Sequence, residues 1–252
     1  MSLLDHPLIS ERYFFPEHVP LADAVEVPVE GGVLACWRSR PPSDRPVLVH
    51  FHGNGERVQH WISPFVSVAD LQGFDVFLVE YRGYGGSTGT FALVGMLDDV
   101  VPIMTAVGVA SKRVVAFGRS VGSIYAIELA HRFPDIAGLV LESGIADVAQ
   151  RLLVRVQPAE IGCSKAEFDA AIAERLDHRQ KLTGYTGPLL VLHAEQDALV
   201  TIDHAVRNHA WAGSSNKRLV RFPDGDHNTI LAANAPEYIV QVRRFLLDAH
   251  PD

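Results

Sequence analysis

Cysteine is scarce in this chain of 252 residues, which contains only Cys36 and Cys163. The two lie far apart and belong to no C-x-x-C pair, so we expect neither a disulfide framework nor a zinc site. No histidine pair has the spacing of an H-E-x-x-H motif, and we therefore expect no metal. With no sign of disulfide bonding, we predict a cytoplasmic protein.

Basic clusters and targeting segments are also missing. The net charge of −8 and a pI near 5.8 disfavour nucleic acid and anionic membranes as partners. The stretch from Met1 to Pro20 carries acidic residues and no cysteine, so we expect no signal peptide, lipid anchor or stable membrane attachment. The length and 48% hydrophobic content predict one domain over residues 1–252, and they leave the oligomeric state open.

A serine between two glycines directly follows an apolar run. Gly118-Arg119-Ser120-Val121-Gly122 has the G-x-S-x-G pattern of a nucleophile elbow, a sharp turn between a strand and a helix. The apolar residues after Ser120 have the spacing of a buried helix, as this turn requires. We predict Ser120 as a nucleophile. Arg119 beside it has two possible roles, binding a substrate carboxylate or phosphate, or pairing with a nearby acid.

A serine hydroxyl needs a base to remove its proton and an acid to orient that base. In the arrangement that accompanies this elbow, the acid and then the histidine follow the serine along the chain, on loops after the last strands. Asp197 and His227 each follow a predicted strand in that order. We therefore predict a catalytic triad of Ser120, Asp197 and His227. Glu142, which closes another strand, is the alternative acid, and Glu195 and Asp203 are nearby substitutes.

The tetrahedral intermediate of acyl transfer also needs hydrogen-bond donors for its oxyanion. The backbone N–H of Val121, at the start of the helix, is one predicted donor. The loop His52-Gly53-Asn54-Gly55 follows an earlier strand, and we assign the second donor to the N–H of Asn54. His52 precedes Ser120 in the chain, so we expect it to fix this loop by hydrogen bonds and not to act as the base.

These motifs resemble the α/β-hydrolase superfamily, and within it the depalmitoylating α/β-hydrolase-domain proteins and their bacterial relatives. The resemblance extends from about Pro46 to Asn228 and implies a serine hydrolase that needs no cofactor. The chain has neither the N-terminal cysteine cluster nor the membrane helix of the membrane-attached members, which favours a soluble esterase. The matching stretches are His52-Gly53-Asn54-Gly55, Tyr81-Arg82-Gly83-Tyr84-Gly85-Gly86-Ser87, Gly118-Arg119-Ser120-Val121-Gly122, Leu141-Glu142-Ser143, His193-Ala194-Glu195-Gln196-Asp197 and Gly225-Asp226-His227-Asn228.

Alternating strand and helix patterns predict an α/β protein with the α/β-hydrolase fold, an eight-stranded, mostly parallel, doubly wound sheet. The predicted strands are Ala24–Val29, Val33–Arg38, Pro46–Phe51, Asp75–Glu80, Arg113–Phe117, Ile136–Leu141, Leu189–His193 and Arg218–Phe222. Besides the helix after Ser120, the predicted helices are Val58–Gln72, Ala92–Val107, Asp203–Trp211 and Pro236–Asp248.

The connection from about residue 145 to 186 is too long for an ordinary loop and has a helical pattern. We predict a small helical cap there, with Leu153 and Phe168 in the wall that binds the acyl group. The alternative is a solvated helical insertion that does not contact substrate.

The predicted function is hydrolysis of a small-molecule carboxylic ester or thioester, with a small or medium acyl group, through an acyl-enzyme. Two alternatives stay open. The same triad could cleave an amide or a peptide, or the chain could be a non-catalytic relative that binds a ligand or partner. The acyl length, the leaving group and the physiological role do not follow from the sequence.

Overall fold

The computed structural model describes residues 2–70 and 72–249, so residues 1, 71 and 250–252 of the predicted domain lie outside the described part. Within it, eight strands form one sheet, as the sequence pattern predicts. The strands are β1 (Val25–Val29), β2 (Gly32–Arg38), β3 (Val47–Phe51), β4 (Asp75–Val79), β5 (Val114–Arg119), β6 (Gly138–Glu142), β7 (Leu189–Ala194) and β8 (Lys217–Phe222).

The strands lie in the order β1-β2-β4-β3-β5-β6-β7-β8. The hairpin of β1 and β2 pairs antiparallel, β2 pairs antiparallel with β4, and the remaining pairs are parallel. Every residue of β3 to β7 is buried, because helices cover both faces of a parallel sheet. The carboxyl ends of these strands meet at one edge, where Arg119 of β5 is in register with Glu142 of β6.

Helices pack on both faces of the sheet. Those on one face, α2 and α9, contact each other, while α3, α4, α7 and α8 form a layer on the other. The helices are α1 (Pro7–Tyr13), α2 (Val58–Asp70), α3 (Val100–Val107), α4 (Gly122–Arg132), α5 (Val148–Leu152), α6 (Lys165–Arg175), α7 (His178–Gly184), α8 (Ile202–Trp211) and α9 (Ile230–Asp248).

Two helix boundaries differ from the sequence expectation by more than two residues. The helix predicted to begin at Ala92 begins at Val100, after a short 3₁₀ turn over Gly95–Leu97. The last helix begins at Ile230, before the predicted Pro236, because Asn234 leaves the helical conformation (φ −124°, ψ 21°) and lets the chain bend ahead of the proline.

The long connection between β6 and β7 is helical, with α5, α6, α7 and a 3₁₀ turn over Pro158–Ile161. Its helix α7 packs against α4, and α6 packs against the 3₁₀ turn Leu3–Asp5 near the N-terminus. The N-terminal segment therefore packs against this insertion.

Candidate active site

Ser120 occupies the sharp turn between β5 and α4. Its φ is +52°, in the left-handed region that residues other than glycine rarely adopt. A Cβ on Gly118 would lie 2.6 Å from Cα of Ser123, and a Cβ on Gly122 would lie 2.1 Å from the carbonyl oxygen of Phe51. The turn therefore requires glycine on both sides of the serine, and the tight packing holds its strained backbone in place.

A chain of hydrogen bonds joins Ser120, His227 and Asp197. The Nε2 atom of His227 lies 2.9 Å from Oγ of Ser120, and its Nδ1 atom lies 2.7 Å from Oδ2 of Asp197. The other oxygen, Oδ1, accepts the N–H groups of Leu199 at 2.9 Å and Val200 at 2.8 Å. Burial opposes ionisation of Asp197, but the contacts with His227 and Val200 outweigh it and lower its pKa. An ionised Asp197 accepts a hydrogen bond from the Nδ1–H group of His227, which holds the tautomer whose Nε2 is free to accept the serine proton.

The alternative acids have other partners. Glu142 is fully buried, accepts a hydrogen bond from Arg119 Nε at 3.1 Å and another from the hydroxyl of Tyr238. Glu195 and Asp203 each pair with an arginine outside the Ser120–His227 relay. The geometry thus brings Asp197, and not these acids, to the histidine.

Sequence reasoning misses a second histidine beside Asp197. His193, in β7, is fully buried, with Nε2 2.7 Å from the carbonyl oxygen of Val200 and 3.4 Å from Oδ2 of Asp197. Burial lowers the pKa of His193, which favours the neutral ring. In that form Nε2 carries the proton and donates to the carbonyl oxygen of Val200. His193 therefore braces the loop that carries Asp197. The one indication in the sequence is its position four residues before Asp197, at the end of the same strand.

Asn54 and Val121, the predicted oxyanion donors, both line the cavity that contains Ser120. Neither backbone N–H has a hydrogen-bond acceptor among residues 2–70 and 72–249. The Asn54 side chain is anchored, since its Oδ1 accepts the hydroxyl of Tyr84 at 2.8 Å and the N–H of Phe15 at 3.2 Å. Its amide group also donates to the carbonyl of Tyr13. The arrangement leaves two backbone donors available beside the serine.

His52 takes no part in the relay. Its Nε2 lies 2.7 Å from Oε1 of buried Glu80, and its Nδ1 lies 2.7 Å from the carbonyl oxygen of Gly53. Burial lowers the pKa of His52, but the Glu80 carboxylate and these hydrogen bonds raise it above the ordinary value overall. Both ring nitrogens face an oxygen atom, an arrangement that favours the doubly protonated ring. Its place in the loop agrees with the predicted bracing role.

Arg119 joins three parts of the site. Its guanidinium is 5% exposed, pairs with Glu142 and Glu56, and donates from Nη2 to the carbonyl oxygen of His227 at 2.8 Å. Glu56 in turn accepts the N–H of Gly53 at 2.7 Å. Of the two roles that the sequence leaves open for Arg119, the structure shows the ion pair, and it ties the His227 loop to the loop after β3.

The cavity over Ser120 has a volume of about 270 Å³. The insertion supplies one side of its lining with Ile145, Val148, Arg151, Leu152 and Arg155. The end of α1 and the residues after it supply another side, which sequence reasoning misses, because this segment carries no motif. Its residues in the lining are Tyr13, Phe14 and Phe15.

The two predicted wall residues do not appear in that lining. Phe168 is fully buried within the insertion, and Leu153, next to the lining residue Leu152, packs against the same apolar core. The helical period explains the difference, because neighbouring residues on a helix point about 100° apart. Part of the predicted segment lines the cavity, but the apolar pattern does not reveal which of its faces does so.

Two features are absent from the described residues. No cluster of three or more histidine, cysteine or acidic residues there is arranged to hold a metal ion. Among the same residues, no helix combines the length and apolar character needed to cross a membrane.

Comparisons with known proteins agree with this fold. A family model described as serine aminopeptidase, S33, matches residues 42–166. The protein YfhR of Escherichia coli K12 is 28% identical over 90% of this chain and 81% of its own length. Alpha/beta hydrolase domain-containing protein 17B of Xenopus laevis is 23% identical over 70% of this chain and 59% of its own.

Among solved structures, the esterase Pf2001 of Pyrococcus furiosus superposes with a TM-score of 0.72 and 16% identity, covering 92% of this chain and 97% of its own. That likeness confirms the predicted fold. Together with the family match and the relatives named as α/β-hydrolase-domain proteins, it confirms the resemblance drawn from the motifs. The chain has the α/β-hydrolase fold, and its sequence is similar to proteins of the α/β-hydrolase superfamily.

Proposed function

We propose that this protein is a serine hydrolase that cleaves a carboxylic ester or thioester through an acyl-enzyme. The observation that carries the proposal is the unbroken hydrogen-bond relay, 2.9 Å from Ser120 Oγ to His227 Nε2 and 2.7 Å from His227 Nδ1 to Asp197. A serine in strained backbone geometry, a base within hydrogen-bond reach and an ionised acid behind it are the parts that nucleophilic acyl transfer needs.

In this mechanism Ser120 Oγ attacks the acyl carbon while His227 Nε2 removes its proton. The negative charge that develops on the acyl oxygen is stabilised by the N–H groups of Val121 and Asn54 and by the positive end of α4. His227 then donates its proton to the leaving group. Water, activated by the same histidine, releases the acyl group and restores Ser120.

The cavity favours small or medium acyl groups. Its volume of about 270 Å³ is at the low end of ordinary ligand sites, which are roughly 300–1,000 Å³. The apolar side chains of Ile124, Val148, Leu152 and Val200 line it beside Ser120 and supply a surface for the alkyl part of a substrate.

The second candidate function is aminopeptidase activity, because the matched family model is described as a serine aminopeptidase. An aminopeptidase must bind a free ammonium group, for which a carboxylate is the natural partner. Among the described residues that line the cavity, none is an aspartate or glutamate. This lining argues for an ester or thioester and against a substrate with a free amino terminus. The complete relay also argues against a purely non-catalytic binding protein.

A substrate panel tests the proposal. Wild-type protein is assayed with p-nitrophenyl esters from acetate to palmitate, with acyl-CoA thioesters of the same lengths and with aminoacyl p-nitroanilides. We expect turnover of short and medium esters or thioesters that disappears in Ser120→Ala. Turnover of the anilides alone would support the aminopeptidase, and a folded protein that processes none of the three classes would contradict the proposal.

The two free cysteines agree with the proposed cytoplasmic location.

A further inference from the structure

The cavity over Ser120 has an excess of positive charge. Three arginines line it, Arg119, Arg151 and Arg155, and no described lining residue is acidic. Glu56 and Glu142 already neutralise Arg119. Within the described part of the chain, the other two arginines have no carboxylate partner, although the net charge of the chain is −8.

Arg151 lines the cavity from the helical insertion. It belongs to α5, is only partly exposed, and its guanidinium has neither an ion pair nor a hydrogen-bond acceptor within residues 2–70 and 72–249. The positive charge of Arg151 affects two neighbouring residues. Burial raises the pKa of Tyr13, and the Arg151 charge opposes that increase. Burial lowers the pKa of His204 to about 4, and the Arg151 charge lowers it further. The Arg151 guanidinium, which carries five N–H donors, thus lines the cavity with no acceptor among the described residues.

Arg155, an exposed residue, contacts the N-terminal segment at the same side of the cavity. Its guanidinium lies 5.5 Å from the ring centre of Tyr13 and 5.8 Å from that of Phe15. Its Nη1 atom donates to the carbonyl oxygen of Arg12 at 2.9 Å, and it has no carboxylate partner in the described chain. Stacking on aromatic rings orients a guanidinium without neutralising its charge.

We propose that Arg151 and Arg155 form an anion-binding subsite, and that the ester or thioester cleaved at Ser120 carries a carboxylate or phosphate group. The proposal rests on the proposed function and names its substrate class. Guanidinium groups bind carboxylate and phosphate oxygens through charge-assisted hydrogen bonds. A local cluster of cations in an acidic protein also concentrates anionic substrates at the one place where they react.

Matched pairs of substrates test this directly. Mono-p-nitrophenyl glutarate carries a carboxylate on the acyl side and is compared with neutral p-nitrophenyl hexanoate. 4-(Butyryloxy)phenyl phosphate carries a phosphate on the leaving group and is compared with neutral p-tolyl butyrate. For each pair, the ratio of kcat/KM, anionic over neutral, is measured for the wild type, Arg151→Gln, Arg155→Gln and the double variant. The pair with the larger wild-type ratio distinguishes a carboxylate from a phosphate as the bound group.

We expect at least one ratio to fall by roughly 10- to 100-fold in Arg151→Gln, the range of a hydrogen bond to a charged group. Arg151→Lys, which keeps the charge, should retain part of the preference. Arg179→Gln is the matched control, because Arg179 is an exposed arginine of the same insertion, outside the cavity lining. Ratios that stay at the wild-type value in the double variant, with ester turnover intact, would overturn the subsite.

A binding measurement separates this proposal from the proposed function. Saturation-transfer NMR with glutarate and with phenyl phosphate needs no catalysis. Signals that are present in the wild type and in Arg179→Gln but lost in the double variant would support the subsite even if no ester were cleaved. Equal signals in all three proteins, or no signal in any, would contradict it.

Discussion

Replacement of Arg119 by methionine tests how the site is held together. Arg119 pairs with fully buried Glu142 and with Glu56, and it also holds the carbonyl oxygen of His227 at 2.8 Å. Methionine has a similar reach and no charge, so Arg119→Met leaves Glu142 without its cationic partner in the protein interior. Burial already raises the pKa of Glu142, and the Arg119 charge opposes that effect.

The expected loss of stability is large. Removing one partner of a buried ion pair costs about 3–5 kcal/mol. For a chain of 252 residues, each kcal/mol lowers Tm by roughly 2 °C, so Tm should fall by about 6–10 °C. Turnover should fall as well, because the loop that carries His227 loses its anchor to β5.

Differential scanning calorimetry and ester kinetics at a temperature well below both transitions measure the two effects. Arg244→Met is the matched control, because Arg244 is 69% exposed and reaches Asp248 only at 4.0 Å. An exposed pair of this kind is worth about 0–1 kcal/mol. The double variant Arg119→Met/Glu142→Gln should recover part of the lost stability, since no unpaired charge remains. If Arg119→Met were as mild as Arg244→Met, the network would not have the role described.

Three further predictions concern the acid, the pH dependence and the cavity wall. Asp197→Asn should lower kcat by on the order of 10⁴, because the histidine is then held in the wrong tautomer, whereas Glu142→Gln should mainly lower Tm; steady-state kinetics and calorimetry on both variants check this. His178 and His204 are buried, and burial lowers the pKa of each to about 4, so the folded state resists their protonation. Their contribution to the free energy of unfolding is complete above the unfolded pKa of about 6.5 and declines as the pH falls toward 4. The expected loss between pH 7 and pH 5 is about 2 kcal/mol for each histidine, and urea unfolding at the two pH values measures it. Leu152→Ala should raise KM for octanoate esters roughly tenfold and leave acetate esters nearly unchanged, because only the longer chain reaches this wall.

Each of these has an outcome that would contradict it. A reversed pattern for the two acids would assign the orienting role to Glu142. Urea midpoints that are equal at pH 7 and pH 5 would refute the buried neutral histidines. Leu153→Ala serves as the control for Leu152→Ala, since Leu153 lies outside the cavity lining, and equal effects of both on octanoate would show that the lining is misassigned.

The eight-stranded sheet could be predicted from the sequence, and so could the loops after its strands that carry the candidate site residues. Turn chemistry explains this success, because the glycines around Ser120 are required by close backbone contacts, and Gly55 after His52 has a φ of +72° that favours glycine. The candidate triad could be named for the same reason. Its three residues follow strands β5, β7 and β8, whose carboxyl ends are brought to one edge by parallel pairing.

The cavity wall could not be predicted in the same way. Side chains such as Phe168 and Leu152 are both apolar and both buried, and only tertiary packing decides which one faces the cavity. The contribution of Tyr13 and Phe15 depends on a long-range contact between the N-terminal segment and the insertion. The ion pairs of Arg119 likewise join residues far apart in the chain, and no local pattern records them.

The most direct test of the central claim is covalent labelling of Ser120. The protein is incubated with a fluorophosphonate probe, and intact mass and peptide mapping identify the adduct. The proposed mechanism predicts one adduct per chain, on Ser120, with none in Ser120→Ala and a strongly reduced labelling rate in His227→Ala. Labelling of Ser120→Ala at the wild-type rate, or an adduct on a different residue of the wild type, would contradict the assignment of Ser120 as the nucleophile.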